Sequence, residues 1–556
     1  MPEFYDSKQV ELKKRIAQFA TSQVTANLKT YNLDPQEAAQ LLWDTCGNWV
    51  FPWEAQYEAL RTIFYANYKN VKPSAIAVCQ NIKDLRCALA YFRGRRLKDE
   101  DFNFTPRSGG HSTAGYSTLE GGVMLDLRSF NQLAVDTTNE LVHVGPGVQF
   151  RDFYKTLENY GRFTPAGICP EVRAGGYMQG GGYGFASRMF GMNCDNVESL
   201  LVVLQDGRCV EANKNVNADL FWAMRGGTGN NFGIVTQITY KTYKVRQFGA
   251  ISMHWRLKGD TEAMQGAQVL ALMQSQFMGS NNDRRFGYMT YINFLEDEND
   301  STLMVPYLQM RTIYRGDLGT GSEILNQLIQ TPGCVVHWED TGAYSTLNSR
   351  LMGYEEHDND TQFANTEVQD LPNQEKQSRF FIKPLGVEGW KTLIDHMRTA
   401  PSLFTSLPEL NIEPGGAAIN DTKRGDNGYI HREDDFNGFL NVYWHDDKEV
   451  TEKAKAFKFL NQWLDMIQPW TNGAAYQNYP KPYVTDYSQR YWAEYYPVFC
   501  VAKSKYDPNN LFRFQQGVGA DGLCPVNSLE LAKKLVPSLA STFEQPIEYM
   551  CNNPEY

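Results

Sequence analysis

Two glycine-rich stretches hold the side chains best suited to chemistry. The first is Arg107-Ser108-Gly109-Gly110-His111-Ser112. Paired glycines let a backbone come close to a ligand and aim its N–H groups at phosphate oxygens, and a histidine stands at the lip of that turn. The second runs GICPEVRAGGYMQGGGYG from residue 167 to 184, with Cys169 near its head, followed by Val172, Gly175, Gly176, Gly180, Gly181, Gly182, Tyr183 and Gly184. So many glycines weaken any helix or strand, and a long loop moulded against a ligand accounts for them better than a turn does. An imidazole and a thiol in two such loops can both touch one planar ligand. Taken alone, the first loop is equally well an ordinary turn with a surface histidine. The Cys, Pro, Val, Met and Tyr interleaved in the second argue against a flexible linker.

Other chemistries are excluded by context. GGTGNNFG follows FWAMR and leads into the strand-like IVTQITY rather than a helix, so it is not a dinucleotide-fold fingerprint. No phosphate-binding GxxxxGK[ST] and no GxSxG elbow occurs. The ten cysteines are scattered without a CxxC pair, which gives no expectation of a metal and suggests that most are reduced, buried side chains. A net charge of -11 disfavours nucleic acid and anionic membranes as partners. The first residues lack an apolar leader core and no run is long enough to span a bilayer, so a cytoplasmic location is the simple expectation. Oligomeric state is not legible.

The elements that must hold these loops follow from periodicity. With 556 residues, 42% of them hydrophobic, two lobes sharing one site are expected. Residues 1–55 read as a helical extension. Short apolar runs alternating with helices fill 56–247, an α+β pattern of two subdomains. Longer alternating strands (YMTYINFL, TLMVPYLQMRTIY, GFLNVYWHD) with helices occupy 248–465, an antiparallel sheet flanked by helices. Residues 466–556 are turn-rich and aromatic and are expected to return to the first lobe.

PRSGGHS, GICPEV, GGYMQGGGYG, SRMFGMNCDNVESLLVVLQDG, DLFWAMRGGTGNNFGIVT and KSKYDPNNLF together resemble the berberine-bridge-enzyme-like branch of the vanillyl-alcohol-oxidase flavoproteins, whose FAD-binding lobe is of the PCMH type. The match covers about residues 70 to 245 and 474 to 518, in the family's order. It implies FAD held covalently, His111 to the flavin 8α-methyl and Cys169 to C6, with Gly233, Ile234, Val235 and Asn478 joining the cofactor-binding set. Val172 falls where the family's oxygen gatekeeper stands, and a small β-branched side chain there resembles the oxidases. Tyr183 matches an active-site tyrosine, and Tyr476 or Tyr479 supplies a second; the sequence does not choose between them. Paired phenols could stabilise a phenolate, which alone is a poor base at neutral pH. Asn437, Phe439 and Asn441 occupy the strand where relatives often carry a charged helper. That departure shifts the weight of proton handling to the tyrosines, with Asn437 as a further candidate.

The resemblance thus implies an oxidase that takes hydride from an alcohol-type carbon of a small molecule to flavin N5, with O2 reduced to hydrogen peroxide. A sugar and a secondary-metabolite hydroxyl suit the aromatic, polar loops almost equally. A tailoring dehydrogenase or oxidative cyclase using O2 or another acceptor is the alternative, and a flavin-fold binding protein would need neither attachment residue.

Overall fold

Side-chain caps fix where several helices begin. Asp34 accepts hydrogen bonds from the N–H groups of Gln36 (2.9 Å) and Glu37 (3.0 Å), with Pro35 in the first turn, and starts the helix Pro35–Asp44. Asn81 accepts from Asp84 N at 3.0 Å and starts Ile82–Lys98. The computed structural model describes residues 2–30, 33–45, 47–245, 247–279, 283–297, 300–353, 371–445, 449–520, 522 and 524–550.

The first lobe is built on two sheets. One holds β1 (Trp49–Val50), β2 (Ala75–Val78), β3 (Phe104–Arg107) and β4 (Val123–Asp126) in the order β1-β2-β4-β3, with β2 and β3 parallel to β4. β4 is buried along its whole length, as a central parallel strand covered on both faces should be. Then come β5 (Leu133–Asp136), β6 (Leu141–Val144), β7 (Arg162–Phe163), β8 (Val197–Val203), β9 (Cys209–Asn213), β10 (Ile234–Lys241) and β11 (Tyr243–Lys244). Five of these make an antiparallel sheet, β5-β6-β10-β8-β9, and β7 pairs with β11.

The N-terminal helices belong to this lobe's core. Leu12, Leu28 and Leu42 join Trp49, Leu85, Leu89 and Phe92 in one buried cluster. Arg15 ties the helices down by donating to Glu54 Oε1 (2.8 Å) and Gly47 O (2.7 Å).

The second lobe is a seven-stranded antiparallel sheet of β12 (Phe248–Arg256), β13 (Phe286–Asp297), β14 (Asp300–Tyr314), β15 (Cys334–Gly342), β16 (Asn373–Phe381), β17 (Glu409–Pro414) and β18 (Phe436–Trp444), in the order β15-β12-β14-β13-β17-β18-β16. The sequence singles out β13, β14 and β18; the other four join them. β16 reads NQEKQSRFF and β17 is short, so neither shows a long apolar alternation. Helices Asp260–Phe277, Gly386–Arg398 and Glu449–Ile467 cover one face, burying Met253, Trp255, Leu308, Leu410, Ile412 and Leu440. Because strand side chains alternate, the other face carries Arg311, Lys376, Glu409, Asn411, Glu413 and Asn441 toward the first lobe, where all of them line one cavity.

Two buried ion pairs hold the chain's distant parts together. Arg432 meets Asp195 across the lobes at 2.7 Å, and Asn427 donates to the same carboxylate at 2.9 Å. In KSKYDPNNLF, Lys503 Nζ meets Asp507 Oδ2 at 2.6 Å and donates to the carbonyl of Asn231 at 2.9 Å, so this motif clamps the GGTGNNFG loop. Cys500 and Cys524 form a disulfide, with Cα atoms 5.7 Å apart, which removes both from the set of reduced cysteines expected above. Cys46 and Cys551 lie outside the described residues. No helix among the described residues is long and apolar enough to cross a membrane.

Candidate active site

Both glycine-rich loops open onto one cavity of about 510 Å³ between the lobes, within the range of small-molecule sites. Ser108, Gly109, Gly110, His111 and Ser112 line it from the first loop, and Cys169, Val172, Gly175, Gly176 and Tyr183 from the second. Gly233, Ile234 and Val235 line it from the start of β10, and Tyr476, Asn478 and Tyr479 from the C-terminal segment. Residues more than three hundred positions apart therefore share one wall.

Six candidates stand behind that wall. The Arg107 guanidinium turns away and donates to the carbonyls of Leu60 and of Thr62 (2.6 Å). Gly180, Gly181, Gly182 and Gly184 make room for neighbours: a Cβ on Gly180 would stand 2.0 Å from Asn478 Oδ1, and one on Gly184 2.0 Å from Ala166 O. Gly182 N donates to Tyr476 Oη at 2.8 Å. Asn437, fully buried, donates to Glu413 Oε2 at 2.8 Å.

The two nucleophiles are held without charge. Burial, reinforced by Arg107, Arg173 and Lys376, pulls His111 down to about 3, so its imidazole is neutral at ordinary pH. Burial and then Glu171 push the Cys169 thiol up to about 12, while Lys376 opposes them. The ring of Phe64 lies against His111, centroids 4.6 Å apart and planes 24° apart.

In the same cavity Tyr479 meets two residues that the sequence does not single out, Glu413 and Lys376. Tyr479 donates its phenolic hydrogen to Glu413 Oε1 at 2.9 Å, inside the cavity. Burial raises Glu413 to about 7, against the hydrogen bonds from Asn437 and Tyr479 and the charge of Lys376. Lys376 Nζ sits 4.3 Å from the centre of the Tyr479 ring and 4.5 Å from that of Phe439. Burial lowers the lysine's own pKa, opposed by Glu413. The charged helper absent from β18 thus comes from the strands on either side of it. Its signal was ELNIEP: Leu410 and Ile412 face the helices, so Glu409, Asn411 and Glu413 must share the other face.

The other phenols are engaged elsewhere. Tyr476 Oη accepts from Gly182 N and from Asn478 Nδ2 (2.9 Å). Tyr183 Oη accepts from Tyr429 Oη at 3.0 Å, and its ring stands edge-on to Tyr476, centroids 5.4 Å apart. At its outer end the cavity shares Arg311, Met352 and Glu409 with a second, more open one lined also by Asn293, Thr405 and Leu407, so the site has an amphipathic mouth.

The first lobe's share of the cavity suits a large polar cofactor. Tyr116 Oη, Ser117 Oγ, Gln179 Oε1 and Asn230 Oδ1 are buried without a hydrogen-bond partner, and all four residues line the cavity. Buried polar atoms of this kind are costly unless something binds them. Nothing stands within 4 Å of a Cβ placed on Gly176, so a flat ligand can lie against that backbone.

Comparison with known proteins agrees. Residues 73–213 match the family described as an FAD binding domain, and residues 475–519 match "Berberine and berberine like". An uncharacterized FAD-linked oxidoreductase of Bacillus subtilis, YgaK, is 25% identical over 451 residues, 80% of this chain and 91% of its own. The carbohydrate oxidase of Microdochium nivale is 26% identical over 469 residues, 80% of this chain and 88% of its own. BBE-like 1 of Physcomitrella patens superposes with a TM-score of 0.74 at 22% identity, covering 86% of this chain and 98% of that one. With the cavity's polar lining, these matches make the chain an FAD-linked oxidoreductase with the two-lobed fold of the berberine-bridge-enzyme-like flavoproteins, carrying an FAD binding domain at residues 73–213 and a berberine-like segment at residues 475–519.

Proposed function

We propose that this chain is an FAD-dependent oxidase whose flavin is attached through His111 and Cys169. It takes hydrogen from an alcohol carbon of a small organic substrate, a sugar or a secondary-metabolite hydroxyl. The observation that carries the reading is the hydrogen bond from Tyr479 to Glu413 in the cavity that also holds the two nucleophiles. Bound flavin supplies a hydride acceptor at N5 whose electrons pass to dioxygen, giving hydrogen peroxide.

The chain's own residues manage the proton. A phenol alone ionises near pH 10 and is a weak base at neutrality. In this reading Tyr479 Oη takes the substrate's hydroxyl proton as its own hydrogen passes to Glu413 Oε1, so no free phenolate has to form in water. Glu413, with its pKa near 7, can release that proton to solvent between turnovers. The ammonium of Lys376 over the Tyr479 ring offsets negative charge on the phenol. Asn437 keeps the Glu413 carboxylate in place, and Tyr183 and Tyr476 form the aromatic wall beside it.

Serines and glycines of both loops, with Gly233, Ile234, Val235 and Asn478, would hold the cofactor, and Val172 would leave room for oxygen. The neutral imidazole of His111 is competent to attack an electrophilic carbon. The carbohydrate oxidase relative favours an alcohol donor, and the mouth's mixture of carboxylate, guanidinium and apolar side chains suits a hydroxylated molecule with carbon faces.

Acid precipitation of the purified protein tests the attachment: yellow colour is expected in the pellet, and colour that washes into the supernatant refutes it. A peroxide assay across sugars, phenolic alcohols and polyketide alcohols tests the reaction. Flavin that bleaches with an alcohol under argon but returns no peroxide in air would refute the oxidase assignment.

A further inference from the structure

The ring plane of a functional histidine is ordinarily fixed by a hydrogen bond to one of its nitrogens. Among the described residues no hydrogen bond reaches the His111 ring, and the contact that lies flat against it is Phe64. Phe64 is itself gripped. Its N–H donates to Gly110 O at 3.0 Å, one residue before His111, and the ring of Tyr65 braces it edge-on at 5.3 Å. Arg107, three residues before Gly110, holds the preceding carbonyls of Leu60 and Thr62, and Tyr68 Oη donates to Thr113 O at 3.3 Å. Gly110 has φ +76, and a Cβ there would stand 3.1 Å from Arg107 Nε and 3.3 Å from Ile63 Cγ2, so segment and loop are shaped to each other. At its far end Asn67 exchanges two hydrogen bonds with the backbone of Gln374, at 3.0 and 2.9 Å, two residues from Lys376.

We infer that Phe64 is the positioning residue for flavin attachment at His111: its ring sets the plane in which the imidazole meets the flavin's 8α carbon. The inference rests on the attachment reading proposed above. In the step it serves, an imidazole N–C bond forms while the imidazole N–H and one 8α C–H are lost. The electron pair and two protons pass by way of the ring system to dioxygen, giving hydrogen peroxide. Phe64 takes no part in bond making. It restricts the imidazole to one orientation, which lowers the entropy to be lost at the moment of reaction. It also adds an apolar face that keeps the ring neutral, in agreement with the depressed pKa of His111.

Wild type, Phe64→Leu and Phe64→Tyr, purified identically, are digested with trypsin and the flavin-bearing fractions of the His111 and Cys169 peptides measured by mass spectrometry, with melting temperature alongside. Loss of an aromatic stack should lower flavin occupancy at His111 by roughly two- to tenfold in the Leu variant. Cys169 occupancy and melting temperature should hold, and the Tyr variant should restore His111. If the Leu variant does not fold, Phe64→Met, similar in volume but without a ring, makes the same comparison. Wild-type occupancy at His111 in the ringless variant overturns the inference, as does parallel loss at both sites with a fallen melting temperature. A wild-type His111 peptide free of flavin overturns the attachment reading itself, which separates the two failures.

Discussion

The ammonium of Lys376 stands 4.3 Å from the centre of the Tyr479 ring while the hydroxyl of that ring donates to Glu413. A cation, a phenol and a carboxyl with its pKa near neutrality thus form one unit, although they come from β16, the C-terminal segment and β17.

Removing the phenol should remove the base. Tyr479→Phe is expected to lower kcat by roughly 100- to 10,000-fold, the usual contribution of a general base. Flavin content should be unchanged, and stopped-flow reduction under argon would read the loss directly.

The pH profile should report Glu413. Its pKa is raised to about 7, so it is protonated below that pH and a carboxylate, able to receive a proton, above it. The value of kcat/KM should therefore rise with pH through about 7, and this limb should vanish in Glu413→Gln.

Lys376→Met keeps a stem of similar length without the charge. The positive charge now opposes the upward shift of Glu413, so its loss should move the same limb to higher pH. A profile identical to wild type would dissociate Lys376 from the proton relay.

Asp195→Asn leaves the buried Arg432 facing a neutral amide. Breaking a buried pair from one side costs about 3–5 kcal/mol, and the two lobes meet at this one. Denaturant unfolding should show a loss of that order.

Gly180→Ala would bring a methyl within 2.0 Å of Asn478 Oδ1, whose amide nitrogen also donates to Tyr476. Overpacking of this kind costs about 1–3 kcal/mol. A lower melting temperature with a displaced Tyr476 is expected, checked by calorimetry and a crystal structure of the variant.

The sequence makes some of this site legible and hides the rest for physical reasons. His111 and Cys169 stand out because glycines crowd around them, and glycine is costly unless backbone must approach something. Glu413 and Lys376 lie on strands whose polar face is turned inward, and a polar strand face reads as solvent-exposed until the other lobe is seen to cover it. Tyr479 could not be told from Tyr476 because the difference lies in their partners, Glu413 for one and Gly182 for the other. Phe64 is one aromatic among many, distinguished by what it lies against. Periodicity marked the N-terminal helices, but that they complete the core around Trp49 and Leu89 depends on contacts distant in sequence. The pairing of Cys500 with Cys524 likewise has no local signature.

The C-terminal stretch supplies Tyr479 and then, through Lys503 and Asp507, locks the loop that borders the cavity near residue 231. The two glycine-rich loops alone consequently leave the cavity unfinished, lacking both its phenol and its clamp. Truncation before residue 479 therefore removes the phenol, and truncation before residue 503 removes the clamp, even though every residue of both glycine-rich loops is present.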